Sequence, residues 1–540
     1  MNSLPVVFGN MAALPDTMEK TAREIIRSGE PAACHWRFRL DELKWQEFVR
    51  HLGNDPAVFI GLWCDGDEIC AAVNDGSIAE TGPRPLMVSY RLDGPRFPGL
   101  SRVRIAAAPF ERMIRDLWGV EAMEGSDLRP LVDHGTWSCT APLAKRPGPA
   151  PFGSDLPEFA RPDPQVAAHG MIFGRGPATG SADGPVHFRL GIANGLIRTV
   201  ETRAGYAHRG IIARMRGATI PRVTELAGRV GAGSAVAHQW AFSAAVENAT
   251  GIVCTTAASR SRVVLTETER IATHLLTLAR TARSVEAASV ATGLYRLREQ
   301  ILCLCGKATG RRLLMDFICP GGLIPLGRQD MLSLAGIVSE LSGLCVDVVS
   351  ACRFAVSELR ALWQVVPGMK RRLQNVGRLT EEQSKMLGLQ GSAGRACGYG
   401  GDLRLHLNAY GEIPFRPAVS IGGDILTRSE ILFEEITESI RILENLADRI
   451  SSDPEDEAES LCVSVSMPSE RCDGYAAIEG PHGPVWYFVT LENGRIEHCF
   501  ISDPAPVLLM ATELVLPGTS PDNFDPVRYS FGVSIAAADL

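Results

Sequence analysis

No two of the fourteen cysteines stand in a CxxC spacing; the nearest approach is Cys303-Leu-Cys305. Zinc and iron–sulfur sites held by one chain normally show clustered Cys or Cys/His at short spacings. These thiols are therefore expected to be reduced, mostly buried, small apolar side chains. No run of about 18 apolar residues occurs, and the nearest candidates, Ala505–Leu516 and Leu332–Val349, carry Glu, Asp or Ser, which excludes a free-standing membrane protein. The N-terminal MNSLPVVFGNMAALPD lacks the positive stretch and apolar run of a secretory signal. Basic clusters are also lacking. With 54 Lys and Arg against 62 Asp and Glu, the formal charge is −8, so nucleic acid is not an expected partner. No GxGxxG follows a strand, so the dinucleotide fingerprint is missing.

What is present suits a large soluble globular chain: 540 residues, 45% hydrophobic and 21% charged, enough for two to four domains. Seven prolines between Pro142 and Pro164 preclude a continuous helix or central strand and predict an extended connector. The acidic SSDPEDEAES at 451–460 reads as a solvated loop. Before the connector, Asp41–Leu52 has helical spacing, residues 57–64, 68–74, 86–92 and 101–108 read as short strands, and a helix is expected over Glu111–Trp118. After it, residues 186–193 and 195–205 read as strands. Helices are expected over Thr266–Ala282, over Met331–Trp363 with a break near Gly343, and over Glu430–Ile450. Gly474–Glu497 reads as strands, followed by an irregular tail. The expected fold class is α+β: a small α+β domain, then a large helical bundle with small peripheral sheets.

The motifs follow in order. Glu111-Arg112, Asp116-Leu-Trp-Gly119 and Ser126-Asp-Leu-Arg129 with Leu131 resemble a stretch of the small quinone-module subunit of respiratory complex I. His208-Arg209-Gly210, Arg229-Val-Gly231-Ala-Gly-Ser234 with His238, and Ala245-Val-Glu247 resemble motifs of complex I's large quinone-site subunit and of the [NiFe]-hydrogenase large subunit. So do Glu267-Thr-Glu269-Arg270 with His274, Pro320-Gly-Gly322, Arg395-Ala-Cys-Gly398 with Asp402-Leu-Arg404, and Glu479-Gly-Pro-His-Gly483. The arrangement resembles the fused large subunits of the formate-hydrogenlyase type. The resemblance implies a domain like the small quinone-module subunit over residues 1–140, a linker over 141–165, and a domain like the large quinone-site subunit or hydrogenase large subunit over 166–540.

A Ni–Fe centre in this family needs four soft thiolates from two CxxC pairs. Here the first pair is replaced by Gly231 and Ser234, and the terminal pair aligns with Ser534 and Ala537; an alternative alignment on Ser502-Asp503-Pro504 also lacks both thiols. A serine hydroxyl is hard and protonated at neutral pH, so no metal and no active hydrogenase are expected. The family's quinone ligands are altered too. Residues 174–180, GRGPATG, contain no His; the Tyr position is Phe242; the acid two after HRG is Ile212; and the Arg before PGG is Cys319.

The resemblance implies a subunit peripheral to the cytoplasmic face of the inner membrane, within a complex related to complex I and group-4 hydrogenases. Its implied partners are an iron–sulfur small subunit, which carries the Fe–S cluster, and antiporter-like integral membrane subunits. His238 and Glu247, flanking the emptied site, and His208 and Arg209 are the catalytic candidates; the last two could instead anchor a neighbouring subunit. Gly231, Ser234, Phe242, Arg395, Asp402, Ser534 and Ala537 are expected to line a cavity for a quinone or small acceptor. Glu267, Glu269, Arg270 and His274 are candidates for a proton path, or for a network that only holds helices together. A second reading makes the chain a catalytically silent scaffold or coupling subunit of an antiporter-like complex, its old site collapsed.

Overall fold

The computed structural model describes residues 21–540, apart from 33, 56, 80–81, 150–162, 179–183, 324–333, 412, 453–460 and 465–468. The architecture is α+β. At the N-terminal end, strands β1 (Glu30–Pro31), β2 (Arg37–Leu40), β3 (Phe59–Asp65), β4 (Glu68–Ala79) and β5 (Gly82–Arg91) form one sheet in the order β1-β2-β5-β4-β3. The β2–β5 pair is parallel and the others are antiparallel. Helix α1 (Glu42–Leu52) starts where Asp41 accepts the amide of Lys44, a side-chain N-cap. It buries Trp45, Phe48 and Leu52, each apolar side chain worth roughly 1.5–3 kcal/mol. Helix α2 (Ala108–Trp118) carries proline in its first turn and ends at Gly119, whose φ of 71° is the left-handed cap glycine favours.

A second sheet comprises β6 (Met171–Arg175), β7 (His187–Ala193) and β8 (Leu196–Arg203) in sequential antiparallel order. The bundle is built from α3 (Ala235–Thr250), α4 (Thr256–Ser284), α5 (Ala288–Thr309), α6 (Leu334–Cys352) and α7 (Ile425–Ser452). Its central member, α4, is buried along most of its length, including Glu267, Arg270 and His274. Two short strands, β9 (Ile318–Cys319) and β10 (Gly322–Leu323), flank the Pro320-Gly321 turn. The antiparallel trio β11 (Cys472–Gly480), β12 (Gly483–Glu492) and β13 (Arg495–Ser502) joins the bundle to the N-terminal sheet.

That junction is aromatic. Trp63 stacks on Phe500 with ring centroids 4.2 Å apart, and Trp36 meets Tyr475 edge-on at 5.2 Å. Gly61 permits the approach, because a Cβ there would stand 2.7 Å from the Phe500 ring. The Ser502 hydroxyl donates to the Ile60 carbonyl at 2.6 Å across the same junction.

Three sequence expectations are corrected. Residues 101–108 form a turn and a 3-10 segment leading into α2, not a strand: Pro109 presets a helical φ, and the alanines before it have no strand side to pack. The break in the long Leu/Val/Ala-rich segment falls at Arg353–Phe354, between α6 and a helix over Ala355–Val365, rather than near Gly343. The tail is helical: α8 (Ala505–Val515), α9 (Phe524–Ser530) and α10 (Ile535–Asp539). Most of the proline connector and of the acidic loop lies outside the described residues. No helix among the described residues is long and apolar enough to cross a membrane.

Candidate functional site

The loop before α3 and the turn before α10 meet. A Cβ built on Gly231 would lie 2.9 Å from Ser234 Oγ, 3.3 Å from Ser534 Oγ and 3.4 Å from Ala537 Cβ. The four aligned ligand positions thus converge on one point, yet the small residues close directly on one another. Ser534 is also committed, capping α10 by accepting the Ala537 amide. Two hydroxyls, a methyl and a hydrogen are not a donor set for nickel or iron. Among the described residues no cluster of three or more His, Cys, Asp or Glu has metal-binding geometry.

The other residues expected around an open cavity are elsewhere engaged. Phe242 is fully buried, its ring 5.9 Å from that of Tyr487. Arg395 and Asp402 are fully buried and ion-paired. None of these three side chains lines the cavity of about 540 Å³ that Glu247 borders.

His208 and Arg209 clasp the end of the chain. His208 Nδ1 lies 2.6 Å from the Asp539 carbonyl, and Arg209 donates to the carbonyls of Ala536, Val230 and Arg229. The Asp539 carboxylate accepts the amides of Gly205 and Ala207, both at 2.8 Å. Burial pushes that carboxyl up to about 6. Trp137 stacks on the His208 ring at 4.9 Å. Both side chains are thus engaged within the chain while remaining partly exposed.

His238 is fully buried on α3, held at both nitrogens. Nδ1 is 3.1 Å from the Tyr487 hydroxyl and Nε2 is 3.1 Å from Asp503 Oδ2. Both ring nitrogens are therefore engaged within the chain. Glu247, further along α3, pairs with Arg262 at 2.6 Å and accepts the Gly321 amide at 2.8 Å and the Cys254 thiol at 3.1 Å. Burial pushes its carboxyl up, but the Arg262 charge outweighs this and holds it below the usual range, so Glu247 is an anchored anion. It borders a cavity of about 540 Å³ shared with Trp240, Cys254, Arg262, Tyr475 and Ile478. Of the residues singled out in the sequence, only Glu247 borders it.

A buried polar network spans α4, α7 and β11. Arg270 donates to Glu267 at 3.3 Å and to the carbonyls of Glu479 and Gly480, and lies 3.8 Å from Glu435. His274 Nε2 is 2.8 Å from Glu435 Oε2. Arg395 bridges Glu435 and Glu479, while Arg404 bridges Asp402 and Glu267. Tyr410 and Ser439 donate to Glu267 at 2.7 and 2.6 Å. Four carboxylates (Glu267, Asp402, Glu435, Glu479) face three guanidiniums (Arg270, Arg395, Arg404), an excess of one acidic group. Burial and the Asp402 charge raise the Glu479 carboxyl. Burial acts the same way on Glu435, but Arg395 and His274 overcome it and hold that carboxyl well below its ordinary value. Burial keeps His274 neutral and outweighs the pull of Glu435. Both Glu479 oxygens accept, one from Arg395 and the other from the Leu403 amide.

Glu269 does not belong to this set. It points away from Glu267 and accepts the amides of Val236 and Ala237 at the start of α3, where burial pushes it up to about 7. His482, quoted only as part of the Glu479–Gly483 turn, was not singled out, although its ring lies 6.1 Å from that of His274 and fills the space above Gly532. Burial and the neighbouring His274 depress it to about 3. Glu435, Tyr410 and Tyr487 were also missed; Arg404 and Asp503 stood only inside quoted motifs and were not named as site residues.

Comparison with known proteins adds a family. Residues 285–519 match the model of the respiratory-chain NADH dehydrogenase 49 kDa subunit. The D-type NADH-quinone oxidoreductase subunit of Campylobacter curvus is 30% identical over 298 residues, spanning 54% of this chain and 68% of that protein. The C/D-type NADH-quinone oxidoreductase subunit of Bacteroides thetaiotaomicron is 25% identical, spanning 75% and 77%. Formate hydrogenlyase subunit 5 of Escherichia coli is 27% identical, spanning 67% and 63%.

Proposed function

Because the chain belongs to the family of the 49 kDa subunit of respiratory-chain NADH dehydrogenase, we propose that it is a coupling subunit of a membrane-associated oxidoreductase complex, without a Ni–Fe centre. The observation that carries this reading is the convergence of Ser234, Ser534 and Ala537 around Gly231, which leaves the metal-ligand point without thiolates. The buried ion network is retained beside it. Low-dielectric surroundings make such a network respond sharply to any change of charge at its edge. Its four carboxylates outnumber its three guanidiniums, so an arriving or departing charge on a neighbouring subunit would act on the packing of α4, α7 and β11.

In this reading an iron–sulfur small subunit and antiporter-like membrane subunits flank the chain, which sits peripherally on the cytoplasmic face of the membrane, the Fe–S cluster being carried by the partner. The division near the proline connector, into a part like the small quinone-module subunit and a part like the large quinone-site subunit, belongs to the same proposal. A second reading, reduction of a quinone or small acceptor held by this chain, is favoured by the cavity bordered by Trp240, Tyr475 and Glu247, whose apolar and polar walls suit an amphipathic ligand.

The test is to purify the tagged chain from gently solubilised native membranes, identify its companions and measure metals. Membrane subunits without stoichiometric nickel are expected. Recovery of the chain alone, or with one nickel per chain, contradicts the proposal. A quinone co-extracted in stoichiometric amount would select the second reading.

A further inference from the structure

Strands β9 and β10 pair across the Pro320-Gly321 turn, with Cys319 opposite Gly322. Residues 461–463 run along the other side of β10: the Leu323 amide donates to the Leu461 carbonyl and the Val463 amide to the Gly321 carbonyl, both at 2.9 Å, and Cys462 bridges Gly322. Gly322 is therefore the middle rung between two cysteines. Its φ of 151° and the Leu461 carbonyl, 1.9 Å from any Cβ placed there, admit only glycine. With no side chain on that rung, the Cys319 and Cys462 sulfurs meet across it at 3.8 Å, although 143 residues separate them in sequence. Cys319 is buried and Cys462 exposed.

We infer that Cys319 and Cys462 are a reversible dithiol–disulfide pair, a redox modification site that fastens the 461–463 segment to the Pro320-Gly321-Gly322 turn. The oxidant is a hydroperoxide. The exposed Cys462 thiolate attacks the peroxide oxygen, gives Cys462 sulfenic acid and releases hydroxide. The Cys319 thiol then attacks the sulfenic sulfur, forms the S–S bond and releases water, its proton leaving with that oxygen. Two thiols lose two electrons and two protons in all, and hydrogen peroxide becomes two waters. Burial pushes the Cys319 thiol up, as does the neighbouring Cys462 sulfur, so no stabilised thiolate at Cys319 favours the reduced form.

The turn it fastens also supports the Glu247–Arg262 pair. Gly321 donates its amide to Glu247, and Arg262 donates to the carbonyls of Cys319 and Gly322. Oxidation therefore stiffens one wall of the 540 Å³ cavity, which Glu247 and Arg262 border. The inference goes beyond the coupling reading and does not rest on it.

The experiment treats the full chain with hydrogen peroxide, alkylates the remaining thiols and maps tryptic peptides by mass. A Cys319–Cys462 linked peptide that disappears on reduction is expected, together with an upward shift of the unfolding temperature. Cys462→Ser, an exposed change, should abolish both; Cys319→Ser should leave Cys462 to over-oxidise to the sulfinic acid. The inference is overturned if Cys462 over-oxidises equally with Cys319 present, or if it links to Cys254 or between chains.

Discussion

Arg395 donates from Nε and Nη2 to one oxygen of Glu435, at 2.9 and 2.7 Å, in a site where both side chains are excluded from water. Its third donor reaches Glu479 at 3.0 Å. Replacing a buried arginine of this kind leaves its carboxylates uncompensated, which typically costs about 3–5 kcal/mol. Arg395→Met should accordingly lower the unfolding free energy by that amount, whereas Glu435→Gln combined with Arg395→Met should recover part of it. Additive losses in this double-mutant cycle would show that the pair is not coupled.

Restoring a ligand residue should fail for steric reasons. At Gly231 any side chain meets Ser234 Oγ at 2.9 Å and two further atoms within 3.4 Å. Overpacking at such points costs about 1–3 kcal/mol. Gly231→Cys is expected to reduce stability on that scale and to bind no nickel. A stable Gly231→Cys protein with nickel bound would show that the site opens.

The pH dependence of stability carries a sign that is opposite for two sets of groups. Burial raises Glu269 from 4.5 to about 7 and Asp539 from 3.8 to about 6 in the folded chain. A raised carboxyl contributes stability that is full below the unfolded value and is lost as pH rises through the folded one. For Glu269 that rise corresponds to no more than about 3 kcal/mol, lost between pH 4.5 and 7. Burial also works to raise Asp402, but Arg404 and Arg395 lower it from 3.8 to about 2. It contributes in the reverse sense, and its share is lost only as pH falls through that range. Unfolding temperature measured from pH 4.5 to 7 should therefore fall less steeply in Glu269→Gln than in the parent chain. Parallel curves would remove Glu269 as the cause.

Release of the C-terminal clasp should be local. His208→Ala removes the 2.6 Å contact to the Asp539 carbonyl and the stack on Trp137. A net loss of about 0.5–1.5 kcal/mol is expected for the hydrogen bond. Amide exchange over Ile535–Leu540 should quicken while that of α4 stays unchanged. Uniform quickening would mean that the clasp supports the whole fold.

Much of this architecture could be read from the chain. The amphipathic spacing of Glu430–Ile450 marked α7, and ordered motifs marked the residues that converge at Gly231. The central network was legible only on one side. Spacing along α4 put Glu267, Arg270 and His274 on related faces, but Glu435 and Glu479 reach them from 161 and 209 residues away, and helical periodicity carries no such information. The alternation in Ser101–Arg104 imitated a strand until Pro109 and its alanines imposed a helix. Whether small residues enclose space or close on each other depends on backbone approach, so the contact of Gly231 with Ser234, Ser534 and Ala537 had no sequence signal.

The coupling role is tested most directly by comparing two variants of the intact complex in native membrane vesicles. His274→Gln keeps a donor for Glu435 but alters the network, and Ser534→Ala changes only the closed site. With assembly verified by co-purification, His274→Gln is expected to lose ion transport coupled to electron flow while Ser534→Ala retains it. Retained coupling in His274→Gln together with its loss in Ser534→Ala would contradict a coupling role for the network.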